Sequence, residues 1–303
     1  MRYFGVDIGN SGIRVSELLV GETRLANTVR LYWRHGPSAP TSPGIQSPPQ
    51  ERFDPERDDW TMQLDAFLSV EDSHWLVSSV RRDARQTLER AIHQACHGKC
   101  TILQHGDIPL EVDVDFPAKV GVDRLLAAYA ASLYAQRESL DEPADQRRRA
   151  IVIQAGSAVT VDLIEWSREK THFLGGAIVP GMPLMLRLLG QATDLLPSLD
   201  SGDLERMPDL PGKNTEAAML CGTASALVGG VQNLVQRYRN IYPVASESQR
   251  DAVEDNTLPV IISGGDGPRI AGFVPEPSVV IRDLVLDGLL SLAIEMELRD
   301  DQD

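Results

Sequence analysis

The N-terminal segment Val6–Gly12 carries the residue types that bind a phosphorylated ligand. Its sequence, VDIGNSG, takes an apolar β-type run directly into a turn of glycine and small polar residues. Backbone N–H groups in such a turn can approach phosphate closely, because glycine has no side chain. Asp7 adds a carboxylate, which suits Mg²⁺ held through water beside a triphosphate. A polar hairpin turn with a capping side chain is the alternative interpretation.

A second segment, Ala155–Asp162, repeats this design. Its sequence, AGSAVTVD, again follows an apolar run with glycine, hydroxyl groups and a carboxylate. Two such turns that face each other across a cleft would hold a phosphate chain between them. We therefore expect Gly156, Ser157, Thr160 and Asp162 to support a phosphate loop, which favours a nucleotide-dependent phosphotransferase.

An acid and a cation, Asp123 and Arg124, follow Gly121 at the start of a predicted helix. In isolation such an aspartate is more often a helix cap, and such an arginine a surface cation. Beside a glycine that lets a ligand approach, the pair also fits phosphoryl transfer to an alcohol. Asp123 would accept the hydroxyl proton and Arg124 would bind an anionic substrate group. Aspartate is a weak base, but the loose transition state depends more on positioning and charge stabilisation.

The elements that must position these residues alternate between strands and helices. Each phosphate turn lies between two β-type runs, 3–8 with 13–19 and 151–153 with 159–166, which predicts two similar units that arose by duplication. Apolar periodicity predicts helices over 60–68, 82–97, 123–136, 181–189, 216–238 and 284–298, and strands over 74–79 and 260–262. The pattern indicates an α/β fold with domains 1–113 and 114–303.

Other segments are predicted to be loops or turns. Residues 36–59 are rich in proline, serine, glutamine and charge, which predicts a disordered surface insertion, and 141–149 is predicted to be a charged loop. Gly175–Gly176 and Pro180–Gly181 predict tight turns beside the second phosphate loop. Gly264–Gly265, after a strand, predicts a turn that admits adenosine.

Composition limits the class of ligand and the compartment. The 303 residues carry a formal net charge of −15, which argues against nucleic acid or an anionic membrane as partner. No apolar run approaches the roughly 20 residues that span a bilayer, and the first turn begins too early for a preceding secretion signal. The three cysteines are too few for a disulfide framework. These features predict a cytoplasmic protein with a small-molecule ligand.

In order and combination, these motifs resemble those of the type III pantothenate kinases, within the superfamily of acetate and sugar kinases, chaperone ATPases and actin. The family's D-x-G-N-[ST] motif and its flanking positions bind ATP and correspond to Asp7, Ile8, Gly9, Asn10, Ser11, Gly12, Ile13 and Arg14. Its G-x-D-R motif binds substrate, with the aspartate as proton acceptor, and corresponds to Gly121, Val122, Asp123 and Arg124. Its later motifs correspond to Gly156–Asp162, with Ser157 contacting nucleotide, to Thr215 for pantothenate, and to Gly264 and Gly265 for ATP.

The resemblance implies two ribonuclease-H-like, actin-like ATPase domains with a nucleotide cleft between them, in a homodimer. It implies transfer of the γ-phosphoryl group of ATP to the 4′-hydroxyl of pantothenate, the first step of coenzyme A synthesis. It also implies Mg²⁺ at Asp7 and a monovalent cation, K⁺ or NH₄⁺.

Three residues depart from the family pattern. Gln154 stands where the family usually has the aspartate that binds the monovalent cation, and an amide offers oxygen without charge. Residues 114–117, VDFP, stand where the family tends to have Tyr-Asp-Asn-Pro, so Val114 replaces a tyrosine that could contact pantothenate and Phe116 replaces the asparagine. Two alternatives therefore stay open: a non-catalytic regulator of the same fold that binds nucleotide or pantothenate, and a kinase for another small hydroxyl substrate.

Overall fold

The computed structural model describes residues 1–33, 52–96, 98–137, 147–199, 208–243 and 257–300. Within these ranges the strands are β1 (Arg2–Ile8), β2 (Gly12–Leu19), β3 (Arg24–Trp33), β4 (Arg52–Phe53), β5 (Ser73–Ser79), β6 (Lys99–Ile102), β7 (Glu111–Val112), β8 (Arg148–Ala155), β9 (Ala158–Trp166), β10 (Thr171–Pro180), β11 (Val260–Ser263) and β12 (Ser278–Val280). The α-helices are α1 (Asp65–Leu68), α2 (Arg82–Ala95), α3 (Val122–Arg137), α4 (Met182–Ala192), α5 (Thr215–Ile241), α6 (Gly267–Ala271) and α7 (Leu284–Asp300).

The strands form two sheets that share one topology. The first sheet has the order β4-β3-β2-β1-β5-β6, and the second has β7-β10-β9-β8-β11-β12. In each sheet three antiparallel strands are followed by two strands parallel to the first of them. A short parallel strand, β4 or β7, completes the antiparallel edge. The repeated order confirms the predicted α/β fold of two similar units.

Helices α3 and α7 are buried with residues of both sheets in one apolar cluster. Leu126 of α3 and Leu289 of α7 belong to this cluster together with Leu76 of the first sheet and Ile164 of the second. A side chain at Gly288 would place its Cβ 2.6 Å from the carbonyl oxygen of Leu126, so α7 lies directly against α3. Because both helices are apolar on most sides, they stabilise the structure by burial against both sheets.

The alternation of side chains along the strands decides which residues face these inner helices. On β1, Val6 and Ile8 pack into a separate cluster with α2, whereas Tyr3 packs with the inner helices. Asp7 lies on the same face as Tyr3, because successive strand residues point to opposite sides. On β9, Val161 packs with α4 and α5 on the outside. Asp162 therefore points to the inner side, as Asp7 does.

The predicted helices and strands are present, with ends that differ by a few residues, except that the helix predicted over 60–68 divides into a 3-10 helix, Trp60–Leu64, and the short α1. The prediction of a tight turn at Gly175–Gly176 is wrong, because both residues lie inside β10. The pairing of β10 with β9 shifts register between Phe173 and Gly176, and Gly175 has a φ of +96°. The glycines thus form an irregularity within a strand, where pairing with β9 outweighs their preference for turns.

The predicted insertion 36–59 falls partly outside the described residues, as does most of the charged loop 141–149. Residues 52–59 are described, and there the prediction of disorder is wrong. Phe53 pairs with Trp33 through β4 and β3, and its side chain is buried with Trp60. The buried Phe53 side chain anchors this stretch. The sequence does not indicate this, because Phe53 has few apolar neighbours in the chain. The domain boundary at residue 113 stays a prediction, and β7, which precedes it, pairs in the second sheet.

Candidate active site

The two glycine turns meet each other. The hydroxyl groups of Ser11 and Ser157 are in hydrogen-bond contact. The first turn is closed by a hydrogen bond from the Gly9 N–H to the Gly12 carbonyl, 2.9 Å long, and the second by one from Gly156 to the Ala158 carbonyl, 3.1 Å long. The structure therefore brings together the two turns that the sequence predicted to face each other.

Trp33 holds the first turn in place. Its indole N–H donates to the Gly9 carbonyl over 3.0 Å, and its backbone N–H donates to the Ser11 carbonyl over 2.9 Å. The ring is buried and packs edge-on against Trp60, with 5.2 Å between the ring centres. Sequence reasoning missed this role, because a tryptophan at the end of a strand is indistinguishable from an ordinary core residue.

The predicted adenosine turn, Gly264–Gly265, packs against the second turn. Gly264 has a φ of +93°, and a Cβ there would lie 2.2 Å from the Ala155 carbonyl oxygen. The Asp266 N–H donates to that same carbonyl over 3.1 Å. On the other side the N–H of Gly181, the residue before α4, donates to the Ser157 carbonyl over 2.9 Å. All of these contacts are made by backbone atoms. Glycine is required at position 264 because a side chain there would collide with the Ala155 carbonyl.

An ion pair between the partly buried Arg124 and the buried Asp162 links α3 to β9. Arg124 donates from Nε and Nη2 to the two carboxylate oxygens of Asp162, over 3.1 and 2.5 Å. The guanidinium also lies 5.2 Å from the centre of the Phe173 ring. Burial raises the pKa of Asp162, whereas Arg124 and the neighbouring Thr160 hydroxyl act to lower it. The pair fixes the Arg124 side chain beside Asp123.

Gly176 makes room for this ion pair. A Cβ at Gly176 would lie 2.0 Å from Oδ1 of Asp162 and 2.6 Å from the Val161 carbonyl oxygen. No side chain can occupy that volume while Asp162 keeps its position. The glycine that the sequence predicted to form a turn is therefore required for the placement of Asp162.

Asp123 is a stronger base than the sequence alone predicts. Burial, followed by the negative charge of Asp7, raises the pKa of Asp123 to about 6. Its carboxylate accepts a hydrogen bond from the Arg124 N–H over 2.9 Å, and a Cβ at Gly121 would lie 2.3 Å from its Oδ1. The pKa of this carboxyl therefore differs from that of a free aspartate, because the fold partly buries the group and places it near a second acid.

Asp7 is paired with Arg14 at the end of the first hairpin. Arg14 donates from Nε to Oδ2 of Asp7 over 3.1 Å, and its Nη2 contacts the same oxygen. Burial by itself would lower the pKa of Arg14, but Asp7 and Asp283 raise it above the usual value. The guanidinium therefore stays charged, and Oδ1 of Asp7 lies outside the hydrogen bonds found among the described residues.

The chain shares this set of motifs with a known family. A model of the type III pantothenate kinases matches residues 4–237.

The chain belongs to the type III pantothenate kinase family.

The type III pantothenate kinase of Rhodopirellula baltica is 32% identical over 227 residues, which cover 72% of this chain and 71% of that protein. An enzyme of the same name from Thermus thermophilus is 30% identical over 220 residues, 73% of this chain and 76% of that protein. The crystal structure of a Baf family protein from Campylobacter jejuni has a TM-score of 0.51 at 17% identity and covers 97% of this chain and 98% of that one. This last likeness concerns the fold alone.

Gln154, which the sequence predicts at the position of a cation ligand, lies near the end of β8. It occupies the place on β8 that Asp7 occupies on β1, and it pairs across the sheet with Thr160. Its side-chain amide donates to the backbone carbonyl of Asp123 over 3.4 Å. The amide thus contacts the G-x-D-R turn directly, and it brings no negative charge to a site that already holds Asp7 and Asp162.

The other departures, Val114 and Phe116, precede the G-x-D-R turn in the chain. Phe116 is 65% exposed, and the Lys119 ammonium lies 4.6 Å from the centre of its ring. Val114 is partly buried beside Gly175, whose Cβ would lie 3.4 Å from its side chain. Val114 therefore packs against β10, and Phe116 is the exposed aromatic group of this loop.

The remaining predicted residues differ in what their side chains can do. Ile8, Ile13 and Val122 are buried, so only their backbone atoms can contact a ligand. Asn10 is exposed at the tip of the first turn. Thr215 is exposed at the start of α5, after the Asn214 cap, and no hydrogen bond within the described ranges joins it to Asp123 or Arg124.

Proposed function

We propose that this chain transfers the γ-phosphoryl group of ATP to the 4′-hydroxyl of pantothenate, with Asp123 as the proton acceptor. As a member of its family it is a kinase that phosphorylates pantothenate for coenzyme A synthesis. The observation that carries the assignment of the base is the partly buried position of Asp123, where desolvation and then the negative charge of Asp7 raise its pKa to about 6. A general acid or base functions best with a pKa near the working pH.

The two glycine turns form the proposed phosphate site. Their backbone N–H groups and the hydroxyls of Ser11 and Ser157 would donate to the phosphate chain, since the two hydroxyls already lie in contact. Gly264 and Gly265 would lie along the adenosine, because their loop packs on the second turn. Thr160 and Asp162 support that turn from β9. The backbone of Ile8, Gly12 and Ile13 completes the first turn.

Mg²⁺ fits this site as a partner of the phosphates. Within the described ranges no three histidine, cysteine or acidic side chains converge as a metal site. This suits an ion that keeps its waters and is held by one carboxylate and by ATP, which is the usual mode for Mg²⁺. Asp7 is the proposed carboxylate. Bound there, Mg²⁺ would offset negative charge on the phosphates.

Arg124 and Thr215 are the proposed side-chain contacts for pantothenate. Gly121 and Val122 would let the substrate approach the backbone. Arg124 keeps its guanidinium in a fixed place through Asp162 and stands next to the base in the chain. A fixed cation there would bind the pantothenate carboxylate and orient its hydroxyl towards Asp123. K⁺ or NH₄⁺ would bind less well at Gln154 than at an aspartate, because an amide lacks charge.

A homodimer is supported by the surface of α5. Gly222, Ser225, Ala226 and Gly229 are exposed on this helix, and a Cβ at either glycine would meet no atom within 4 Å. By length and composition α5 could cross a membrane, yet it also packs on the second sheet, with 39% of its most apolar window buried. We propose that a second copy covers this face. Light scattering of the wild type and of Ala226→Arg tests this, and a monomeric wild type would contradict it.

We further propose that the protein acts in the cytoplasm, without nucleic acid or membrane partners. The formal charge of −15 supports this, because both partners attract basic surfaces.

Phosphorylation of pantothenate by the purified protein tests the proposed function. Turnover is measured with ATP and Mg²⁺, with and without K⁺ or NH₄⁺, beside Asp123→Asn. Turnover that this variant loses would support the assignment. A folded wild type that binds nucleotide but phosphorylates nothing would favour a regulator, and turnover of another hydroxyl substrate alone would favour a different kinase.

A further inference from the structure

Three charged side chains form a row across the first sheet. Asp7 of β1 lies opposite Arg14 of β2, and Arg14 lies opposite Arg30 of β3. Directly opposed residues of antiparallel strands project to the same face. The row therefore starts at the proposed magnesium carboxylate and continues with two cations on the side of the sheet that faces the inner helices.

Asp283 enters this row from a distant part of the chain. It accepts a hydrogen bond from Nη1 of Arg14 over 3.2 Å. It also accepts two from Nη2 of Arg30, over 2.7 and 2.9 Å. Its side chain is 19% exposed, compared with 24% for Arg14 and 8% for Asp7. Charges at this depth are only partly screened by water, so their interactions exceed those of surface pairs.

The backbone beside Asp283 is tied to the adenosine side of the site. The Ile281 N–H donates to the Ile262 carbonyl over 2.8 Å, and the Leu284 N–H donates to the Ser263 hydroxyl over 3.3 Å. Ser263 is the residue before Gly264. Asp283 thus joins β2 and β3, through Arg14 and Arg30, to the segment that leads into Gly264–Gly265.

Arg14 could work against the binding of a metal ion. A guanidinium that pairs with Asp7 alone would neutralise the carboxylate that Mg²⁺ needs. Because Asp283 binds a different nitrogen of Arg14, it draws part of the positive charge away from Asp7. It also holds the guanidinium at one orientation, with Nε and Nη2 directed to a single oxygen of Asp7.

We propose that Asp283 is a positioning residue for the nucleotide site, acting through Arg14 to keep the Asp7 carboxylate oriented and available to Mg²⁺. This inference rests on the proposed role of Asp7. It assigns a function to a residue outside every motif of the sequence, in the loop before α7. Arg30 balances the charge of Asp283, so that the row is neutral before the metal ion binds.

Binding of ADP with and without Mg²⁺, measured by calorimetry, tests the proposal. In Asp283→Asn the gain in ADP affinity that Mg²⁺ produces should fall by roughly 3- to 30-fold, the range for coupled residues of one ion-pair network. Affinity for ADP without Mg²⁺ should be unchanged or higher, because Arg14 becomes more positive towards phosphate. In kinetics the KM for Mg·ATP should rise, whereas the KM for pantothenate should stay within about twofold.

Two further variants separate this role from a structural one. Glu165→Gln removes a buried carboxylate that also accepts from two arginines, Arg147 and Arg149, at a distant position on β9. It should leave the Mg²⁺-dependent gain unchanged even where it lowers the melting temperature. Asp283→Glu, which restores the charge, should recover most of the gain.

The proposal is overturned if Asp283→Asn keeps the wild-type gain, or if Glu165→Gln loses as much. A wild type whose ADP affinity does not respond to Mg²⁺ would instead contradict the role of Asp7, and with it the proposed metal site.

Discussion

The hydroxyl of Ser11 contacts the hydroxyl of Ser157, although 146 positions separate the two residues in the chain. Ser11 belongs to the hairpin of the first sheet and Ser157 to the equivalent hairpin of the second. The repeated topology explains this meeting, because each hairpin turn lies at the same end of its own sheet. A phosphate chain bound between the turns would take the place of this contact.

Ser11→Ala and Ser157→Ala should each weaken ADP binding by roughly 3- to 10-fold, because each removes a hydroxyl donor to phosphate. The double variant should lose less than the product of the two single losses, since contacting residues are energetically coupled. Calorimetric titration of the four proteins measures this. Ser69→Ala, which changes an exposed serine on the outer side, serves as the control. Fully multiplicative losses would show that the two turns act independently.

Asp123→Asn should lower turnover by roughly 10² to 10⁴, the range for removal of a positioned acid or base. The same change should make the protein more stable, because it removes the cost of burying a charge. At about pH 8 the free energy of unfolding should increase by up to about 3 kcal/mol, given the raised pKa. Assays and denaturant titrations check both effects, with Asp65→Asn, an exposed aspartate, as control. Unaltered turnover would refute the role as base.

The pH dependence should follow the same carboxyl group. Burial raises the pKa of Asp123 to about 6, so kcat/KM should rise with pH through that value and level off above it. Since the folded pKa lies above the unfolded one, the contribution of Asp123 to stability should be lost as pH rises from about 4 to about 6. Rate profiles of wild type and Glu165→Gln should coincide. A plateau that extends well below pH 6 would contradict the assignment.

Gly176→Ala should disrupt the ion pair between Arg124 and Asp162. The added Cβ would lie 2.0 Å from the Asp162 carboxylate, and the resulting shift should cost about 1–3 kcal/mol of stability. Turnover should fall by more than the loss of folded protein explains, because Arg124 loses its fixed position. Thermal unfolding and assays of the soluble fraction measure the two effects. Gly106→Ala, where a Cβ meets no atom within 4 Å, should leave both unchanged.

Gln154→Asp should make the enzyme respond to a monovalent cation. Without K⁺, a further carboxylate close to Asp123 would raise the pKa of that base and lower turnover at neutral pH. K⁺ should restore turnover by roughly 3- to 10-fold, because it offsets the new charge. Turnover in KCl and in tetramethylammonium chloride at equal ionic strength measures the response. Gln154→Glu tests whether the position of the charge matters, and strong stimulation of the wild type would contradict the prediction.

Local chemistry explains why much of the site could be predicted. Asp7, Asp123 and Asp162 each stand in a short motif that contains glycine, and such a motif can be recognised without knowing what surrounds it. The first hairpin could also be predicted from the sequence. Ile8 ends its first strand and Ile13 lies near the start of the second, so the two strands are close in the chain, and polar residues alternate with these apolar ones. Family membership also follows from the sequence, since the motifs occur in a fixed order.

Contacts between distant segments decided the features of the fold that the sequence did not predict. Gly175–Gly176 has the chemistry of a turn, yet pairing with β9 keeps it within a strand. The Phe53 side chain packs in a core that contains Trp33 and Trp60, and this packing holds the residues around Phe53 in place.

The amino-acid sequence by itself determined the α/β fold and its repeated units, and it identified the residues proposed as proton acceptor, as substrate-binding cation and as hydrogen-bond donors to phosphate. Tertiary structure decided what those residues can do. It raised the pKa of Asp123 through burial and the charge of Asp7, and it turned Arg14 towards both Asp7 and Asp283. The physical reason is that solvation and charge–charge interactions depend on distance in space. Both are determined here by residues that are far apart in the chain and close in space. The spacing of residues along the sequence does not give their distance in the folded protein.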